Sequence, residues 1–335
     1  MTIRIGINGF GRIGKTVTRI MQARGGFSVV AINDLTSPEQ LAHGLKYDSV
    51  YGRFAGEIAL AAGGLVIDGQ NVRITAEKDP EKLDWAGVGA DIILEATGVF
   101  RKREPLERHL TAGAKRVLLS VPAKDKVDAT IVMGVNDEDL TADARIISNA
   151  SCTTNAAAPI TKIIHDAFGI ERGVINTIHA YTNDQRLMDF PHKDWRRSRA
   201  AALSIIPTTT GAARAVAKVI PALAGKLDGG AYRVPVPTGS IVDMTFILSR
   251  DVTVDAVNAA VEAASGSHMK GIVCYQTDPI VSQDIVADSH SSIFDAALTQ
   301  VVDGRMLKVA SWYDNEWGYS ARMVDLAQRV AEFDR

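Results

Sequence analysis

At 335 residues the chain has room for about two domains, and its 46% hydrophobic against 23% charged residues is the balance of an ordinary globular protein. A formal net charge of −2 excludes the strong global field that captures nucleic acid or an acidic membrane surface, so an anionic ligand must be held by local cations. No apolar run approaches the ~18 residues of a membrane span, the first residues lack an export signal, and two cysteines, Cys152 and Cys274, do not make a disulfide scaffold; a reducing, cytoplasmic setting is expected.

In chain order, residues 2–8 alternate and are β-rich, which predicts a strand. Residues 12–23 carry helical spacing through Ile13, Val17, Ile20 and Met21. Residues 27–33 form a continuous apolar run, as in a strand buried on both faces. This β-α-β order predicts a doubly wound parallel sheet. Further buried strands are expected at 91–96, 116–121 and 130–135, with a helix at 104–112 between the first two. Beyond residue 150 a helix is expected at 153–168 and a strand at 173–179. Residues 181–200 follow as a polar, basic stretch without period, carrying Arg186, Lys193, Arg196, Arg197 and Arg199; so long a loop inside a domain is usually functional. Alternating segments at 240–248 and 292–302, the latter joined by Asp303-Gly304 to 305–313, predict mainly antiparallel sheet and a hairpin. The chain closes on an amphipathic helix with Met323, Leu326, Ala327 and Val330 on one face.

Gly9-Phe10-Gly11-Arg12-Ile13-Gly14 fits G-x-G-x-x-G between a predicted strand and a predicted helix, the context a dinucleotide pyrophosphate requires. Gly9 permits the tight turn, Gly11 the approach of backbone to phosphate, and the free N–H groups at the helix start favour an anion. Asp34 ends the second strand, where a carboxylate bonds the adenosine ribose hydroxyls; it would repel a 2′-phosphate, so NAD is expected over NADP.

Cys152 falls at or beside a helix start within Ser151-Cys152-Thr153-Thr154-Asn155, a position that favours thiolate and offers N–H groups to an oxyanion. Cys274 lies in the apolar run 271–275 and is expected in the core. His179, at a predicted strand end, is the candidate base, with His165, His192 and His290 left open. No Cys/His spacing suggests a metal site.

NGFGRIG at 8–14, ASCTTN at 150–155, HAYTNDQ at 179–185, PHKDWRRSRAAA at 191–202, PTTTGAA at 207–213, RVPVPTG at 233–239 and WYDNEWGYS at 312–320 closely resemble the glyceraldehyde-3-phosphate dehydrogenases, in the family's order along nearly the whole chain. The resemblance implies the NAD-dependent, phosphorylating, glycolytic type. It implies a Rossmann domain at 1–150, joined by a returning helix at 316–335, and an α+β catalytic domain with a mostly antiparallel sheet at 151–315. It further implies a homotetramer in which 181–200 lines a neighbour's cofactor site, with no membrane or specific nucleic-acid partner. Cys152 matches the nucleophile and His179 its base; Arg12, Ile13, Asp34, Lys78, Ser120 and Asn315 match cofactor contacts. Thr182 and Arg233 match the site of the phosphate of D-glyceraldehyde 3-phosphate. Ser151, Thr153, Thr210 and Gly211 match that of inorganic phosphate, and Arg197 an anion contact between the two. The implied chemistry passes through a Cys152 thioester to 1,3-bisphosphoglycerate.

Three positions depart from the family pattern. Ala156 stands where many members carry a second cysteine, Lys78 where Arg is common, and VPTGS at 236–240 where TPNVS is common. An erythrose-4-phosphate dehydrogenase or an NADP-linked relative of the same fold is the alternative; Asp34-Leu35 and the 189–192 segment weigh against both.

Overall fold

The computed structural model describes residues 2–334. Contacts divide it into two compact units. The first runs through residue 131, resumes at 137–151 and takes in the last helix from 320 on; the second comprises Val132–Asn136 and Cys152–Tyr319.

The first unit is built on a nine-stranded sheet. Ala129–Thr130, Ile146–Ser148, Arg116–Leu119, Ile92–Glu95, Ile3–Asn8, Phe27–Asn33 and Gln70–Thr75 lie side by side in that order, all parallel. Gly64–Ile67 and Ile58–Ala61 extend the far edge antiparallel. The central strands are buried throughout their apolar runs because helices cover the sheet. The chain leaves Ile3–Asn8 for Phe27–Asn33 on one side and later crosses from Gln70–Thr75 to Ile92–Glu95 on the other, and the carboxyl ends at such a switch point are where open α/β sheets bind ligands. The terminal helix Trp317–Ala331 buries Met323, Leu326, Ala327 and Val330 completely. It is tied within this unit by the Arg24–Asp325 pair at 2.6 Å, and Asp334 beyond it pairs with Arg116 at 2.8 Å.

The second unit carries an eight-stranded sheet centred on the long strand Ile170–Ala180. That strand pairs parallel with Leu227–Val234 and antiparallel with Ser240–Leu248, which in turn pairs with Met306–Tyr313. Helix Cys152–Phe168 packs between this sheet and helices Ala212–Val219 and Val254–Ser265, and buries Ala156, Ala157 and Ala158 completely. The α/β class with a parallel doubly wound sheet and a mostly antiparallel second sheet is therefore the one the sequence predicts.

Several local expectations are corrected. The strand expected at 130–135 ends at Thr130. The chain turns at Val132, whose carbonyl accepts from the Val135 and Asn136 N–H groups while its own N–H donates to Asn136 Oδ1. The alternating run 292–302 is broken by a 3-10 turn, Ala296–Leu298, into Ser292–Asp295 and Gln300–Val302. Asp303 and Gly304 do form the hairpin, both with positive φ, but Arg305 joins them in a three-residue loop. The basic stretch after Ala180 lacks helix and strand yet is organised. Arg199 pairs with Asp189, Arg186 donates to the Pro191 carbonyl, and Phe190 N–H donates to the Ser198 carbonyl. Cys274 is half-buried on the strand Val273–Gln276 rather than enclosed in the core.

Candidate active site

In the first unit, an open groove of about 450 Å³ lies over the carboxyl ends of the parallel strands. Its walls include Gly9, Gly11, Asp34, Lys78, Thr97 and Phe100. Gly9 has φ +91°, and a Cβ there would meet the Thr97 nitrogen at 2.6 Å, so no other residue fits this turn. A Cβ at Gly11 would meet nothing within 4 Å; the space in front of helix Arg12–Arg24 is open. Gly11 caps that helix without a side-chain bond, and a helix N-terminus facing open space favours an anion. Asp34 Oδ2 accepts from Phe10 N–H at 2.7 Å and Oδ1 from Thr36 N–H at 2.9 Å. Burial raises the Asp34 pKa, but these N–H bonds and nearby Lys15 outweigh it and hold the carboxyl below its usual range. Phosphate-facing amides, a fixed carboxylate and an apolar wall together fit a dinucleotide such as NAD. Arg12 pairs with Asp48 and lies over the Tyr51 ring, Ile13 is half-buried on the same helix turn, and Lys78 is exposed on the groove wall. Ser120 is buried in the bend after Arg116–Leu119, its N–H on the Glu95 carbonyl.

In the second unit, Cys152 is the first residue of helix Cys152–Phe168 and its Sγ lies 3.5 Å from His179 Nε2. His179 sits one residue from the end of its strand, and the parallel register sets Arg233 directly opposite it. His179 Nδ1 is 2.7 Å from the Ala180 carbonyl oxygen, which can only accept, and 3.0 Å from Arg233 Nη1, whose two hydrogens are directed to that same carbonyl and to Thr182 Oγ1; the shorter contact places the ring proton on Nδ1 and leaves Nε2 to face sulfur. Arg233 Nη1 donates to the same carbonyl at 3.0 Å and to Thr182 Oγ1 at 3.4 Å. Burial pushes the Cys152 thiol up, opposed by Arg233 and Thr153. Burial and then Arg233 push His179 down to about 3. The proton between Sγ and Nε2 thus belongs to the pair, and Arg233 is the fixed positive charge beside it. His165 accepts from Ile170 N–H, His192 bonds within the 181–200 loop, and His290 bonds Asp288, which resolves the choice of partner for Cys152.

Arg197 is half-buried between Asp184 and Thr208 Oγ1. Thr210 and Gly211 precede helix Ala212–Val219, where Thr210 Oγ1 accepts from Ala212 N–H at 3.1 Å and Gly211 adds no side-chain cap. The Thr153 hydroxyl is buried, 2.9 Å from Tyr313 OH. Ser151, immediately before the helix, is half-buried. Asn315 Oδ1 accepts from Ser240 Oγ at 2.8 Å, and Ser240 Oγ accepts in turn from Ala180 N–H.

Residue-by-residue reading of the sequence passed over two groups. Tyr313 bridges Thr153 and Thr177 with its hydroxyl and sets its ring edge-on to His179, 5.9 Å between centroids. Gln185 accepts from Thr182 N–H, and its buried Nε2, like buried Arg233 Nε, has no acceptor among the described residues. The VPTGS change gains a physical account: Gly239 has φ +83° and a Cβ there would meet the Ser282 carbonyl at 2.3 Å, while Thr238 Oγ1 donates to Asp314. Tyr313 and Gln185 lay inside quoted motifs, but no spacing rule picks them out.

Residues 3–103 match the family model described as "Glyceraldehyde 3-phosphate dehydrogenase, NAD binding domain", and residues 151–315 match "Glyceraldehyde 3-phosphate dehydrogenase, C-terminal domain". The chain is 54% identical to the glyceraldehyde-3-phosphate dehydrogenase of Geobacillus stearothermophilus, over 99% of each chain. It is 53% identical to that of Borreliella burgdorferi, over 98% of this chain and all of the relative. It is 51% identical to glyceraldehyde-3-phosphate dehydrogenase 1 of Bacillus subtilis, over 99% of each. Likeness of this extent, reaching through both units, makes the chain a member of the glyceraldehyde-3-phosphate dehydrogenase family.

Proposed function

We propose that the protein oxidises D-glyceraldehyde 3-phosphate with NAD and inorganic phosphate to 1,3-bisphosphoglycerate, as an enzyme of glycolysis and gluconeogenesis. The observation that carries this reading is the Cys152–His179 contact at a helix start, with Arg233 fixed beside it. Residues 1–150 with 316–335 serve as the NAD-binding domain and 151–315 as the catalytic domain. Gly9, Gly11, Arg12, Ile13, Asp34, Lys78, Ser120 and Asn315 would hold NAD, which when bound supplies the acceptor for the substrate's hydride.

Cys152 sulfur forms a bond to the aldehyde carbon, and its proton passes by way of His179 Nε2 to the aldehyde oxygen, giving a thiohemiacetal. Main-chain N–H groups at the helix start steady the oxygen while it is charged. His179 then takes the hydroxyl proton as the carbon gives up its hydride, leaving a thioester on Cys152. A phosphate oxygen attacks that carbonyl, the C–S bond breaks, and the sulfur regains its proton from Nε2. Thr182 and Arg233 hold the substrate phosphate, supported by the unpaired Arg233 Nε. Ser151, Thr153, Thr210 and Gly211 receive inorganic phosphate, with Arg197 between the two anions.

A homotetramer is supported by the exposed Leu187, Met188, Phe190, Trp195, Leu203 and Ile205, an apolar patch of the kind that marks an interface. No helix among the described residues is long and apolar enough to cross a membrane, and both cysteines are free. A cytoplasmic setting suits a reactive thiol.

NADH absorbance with substrate, NAD and phosphate tests the reading. Sustained turnover with phosphate, and a single burst without it, is expected. Absence of NADH formation, or turnover indifferent to phosphate, overturns it.

A further inference from the structure

Beneath the groove of the first unit runs a line of buried polar side chains that the chemistry above does not use. Glu95, at the end of the strand Ile92–Glu95, is fully buried and has no Lys or Arg partner among the described residues. Its carboxylate instead receives Asn8 Nδ2 at 2.6 Å, Thr97 N–H at 2.9 Å, the Thr97 hydroxyl, and His109 Nε2 at 3.1 Å. The direction of the last bond is fixed from behind. Trp85 Nε1–H can only donate and lies 3.1 Å from His109 Nδ1, so the imidazole proton is on Nε2, facing Glu95. All four contacts are donors, which the two oxygens of a carboxylate can accept and the NH2 of an amide in their place cannot.

The line continues to the other wall. Asn33 Nδ2 donates to Asn8 Oδ1 at 2.7 Å and to the Glu77 carbonyl at 2.9 Å, while Glu77 N–H donates back to Asn33 Oδ1 at 2.8 Å. Asn8, Asn33, Glu77 and Thr97 all line the groove. His109 also braces Phe100, another wall residue, edge-on with 6.5 Å between centroids. Thr97 is the piece that Gly9 leaves room for, its nitrogen within 2.6 Å of where a Cβ would stand.

We propose that Glu95, held by His109, is a positioning residue for the cofactor. It fixes Thr97 and Phe100 on one wall and, through Asn8 and Asn33, registers them against Glu77 and the Asp34 side. A substrate-independent affinity for NAD would then depend on a carboxylate that does not itself line the groove. The inference rests on the assignment of this groove to NAD.

The test is calorimetric titration of the full-length enzyme with NAD, beside steady-state kinetics. Glu95→Gln presents amide hydrogens to two of four donors. It should raise the NAD dissociation constant and the KM for NAD by about tenfold or more, the scale of one charge-assisted hydrogen bond. The KM for the aldehyde and kcat at saturating NAD should hold. Thr97→Val, a milder change that removes the hydroxyl link to Glu95 and the acceptor of the Val99 N–H, should weaken NAD binding in the same direction if Glu95→Gln fails to fold. Thr97→Ser, which keeps the hydroxyl, should recover it. NAD affinity within about twofold of wild type in Thr97→Val, or a Thr97→Ser variant no better than Thr97→Val, overturns the proposal. So does a parallel fall of kcat and both affinities in Glu95→Gln. Failure of the wild-type enzyme to turn over the aldehyde would strike the proposed function instead, and leaves the NAD titration readable.

Discussion

His179 and Arg233 stand directly opposite each other on neighbouring parallel strands, and one carbonyl, that of Ala180, receives the Nδ1–H of the first and an Nη1–H of the second. This shared acceptor fixes the imidazole tautomer and brings a permanent positive charge to the thiol without placing it between sulfur and base. His179→Asn should therefore slow oxidation by about 10²–10⁴-fold, the worth of a positioned base. Burial already pushes the thiol up, so loss of its proton acceptor should shift the pH profile of Cys152 alkylation further upward. Iodoacetamide inactivation measured across pH checks the sign; an unchanged profile would mean that the Sγ–Nε2 contact has no part in ionisation.

Cys152→Ser should abolish oxidation while NAD still binds. A hydroxyl is scarcely ionised near neutral pH and is the poorer nucleophile. The groove walls come from Asn8 through Phe100 and contain no part of the 152–168 helix. Kinetics and NAD titration of the same variant decide the point, and appreciable turnover would remove Cys152 from the role of nucleophile.

The parallel sheet, the glycine turn and Asp34 were legible because each obeys a local rule: a buried run of one period, a fixed spacing, a residue type at a strand end. Cys152 was legible for the same reason. His179 was separable from His165, His192 and His290 only by resemblance, because what selects it is the register of three strands between residues 170 and 248, and register is not written in any one segment. The strand expected at 130–135 failed where the Asn136 side chain closes a turn, a competing bond that β-propensity does not see. Cys274 read as core because its run is apolar, yet it lies on a short strand paired on one side with Ser292–Asp295.

Tyr313→Phe should test a residue that no spacing rule exposed. Its hydroxyl is the shared partner of Thr153 and Thr177, both buried, so its loss should cost about 1–3 kcal/mol for unsatisfied groups. The ring remains beside His179, so Nε2 should keep its place and kcat should fall less than in His179→Asn. Thermal unfolding and kcat measured together check this. Wild-type stability would show that the two threonines satisfy each other unaided.

Peroxide should inactivate the enzyme through Cys152 without an intramolecular disulfide. The thiolate sulfur is oxidised to sulfenic acid as peroxide is reduced to water. A disulfide then needs a second sulfur with its Cα within about 7 Å. One helical turn on from Cys152 stands Ala156, fully buried, and Cys274 is on another element with its thiol free. Mass spectrometry should find sulfenic acid, its adducts with added thiols, and higher oxides; a dominant Cys152–Cys274 crosslink within one subunit would refute the route.

Asp34→Ala should narrow the preference for NAD over NADP, and for two reasons that act together. The carboxylate stays ionised because the Phe10 and Thr36 N–H groups each hold one of its oxygens, so a 2′-phosphate brought against it meets a fixed negative charge. Removing that charge should narrow the affinity ratio by about tenfold or more, the scale of a close like-charge contact near a protein surface. The same substitution frees the Phe10 N–H inside the glycine turn and removes the acceptor for the ribose hydroxyls, so NAD itself should bind more weakly. The ratio therefore narrows from both sides: NADP improves and NAD declines. Titration of wild type and variant with each cofactor separates the two contributions. Equal use of both cofactors by the wild-type enzyme would remove Asp34 from the ribose site altogether.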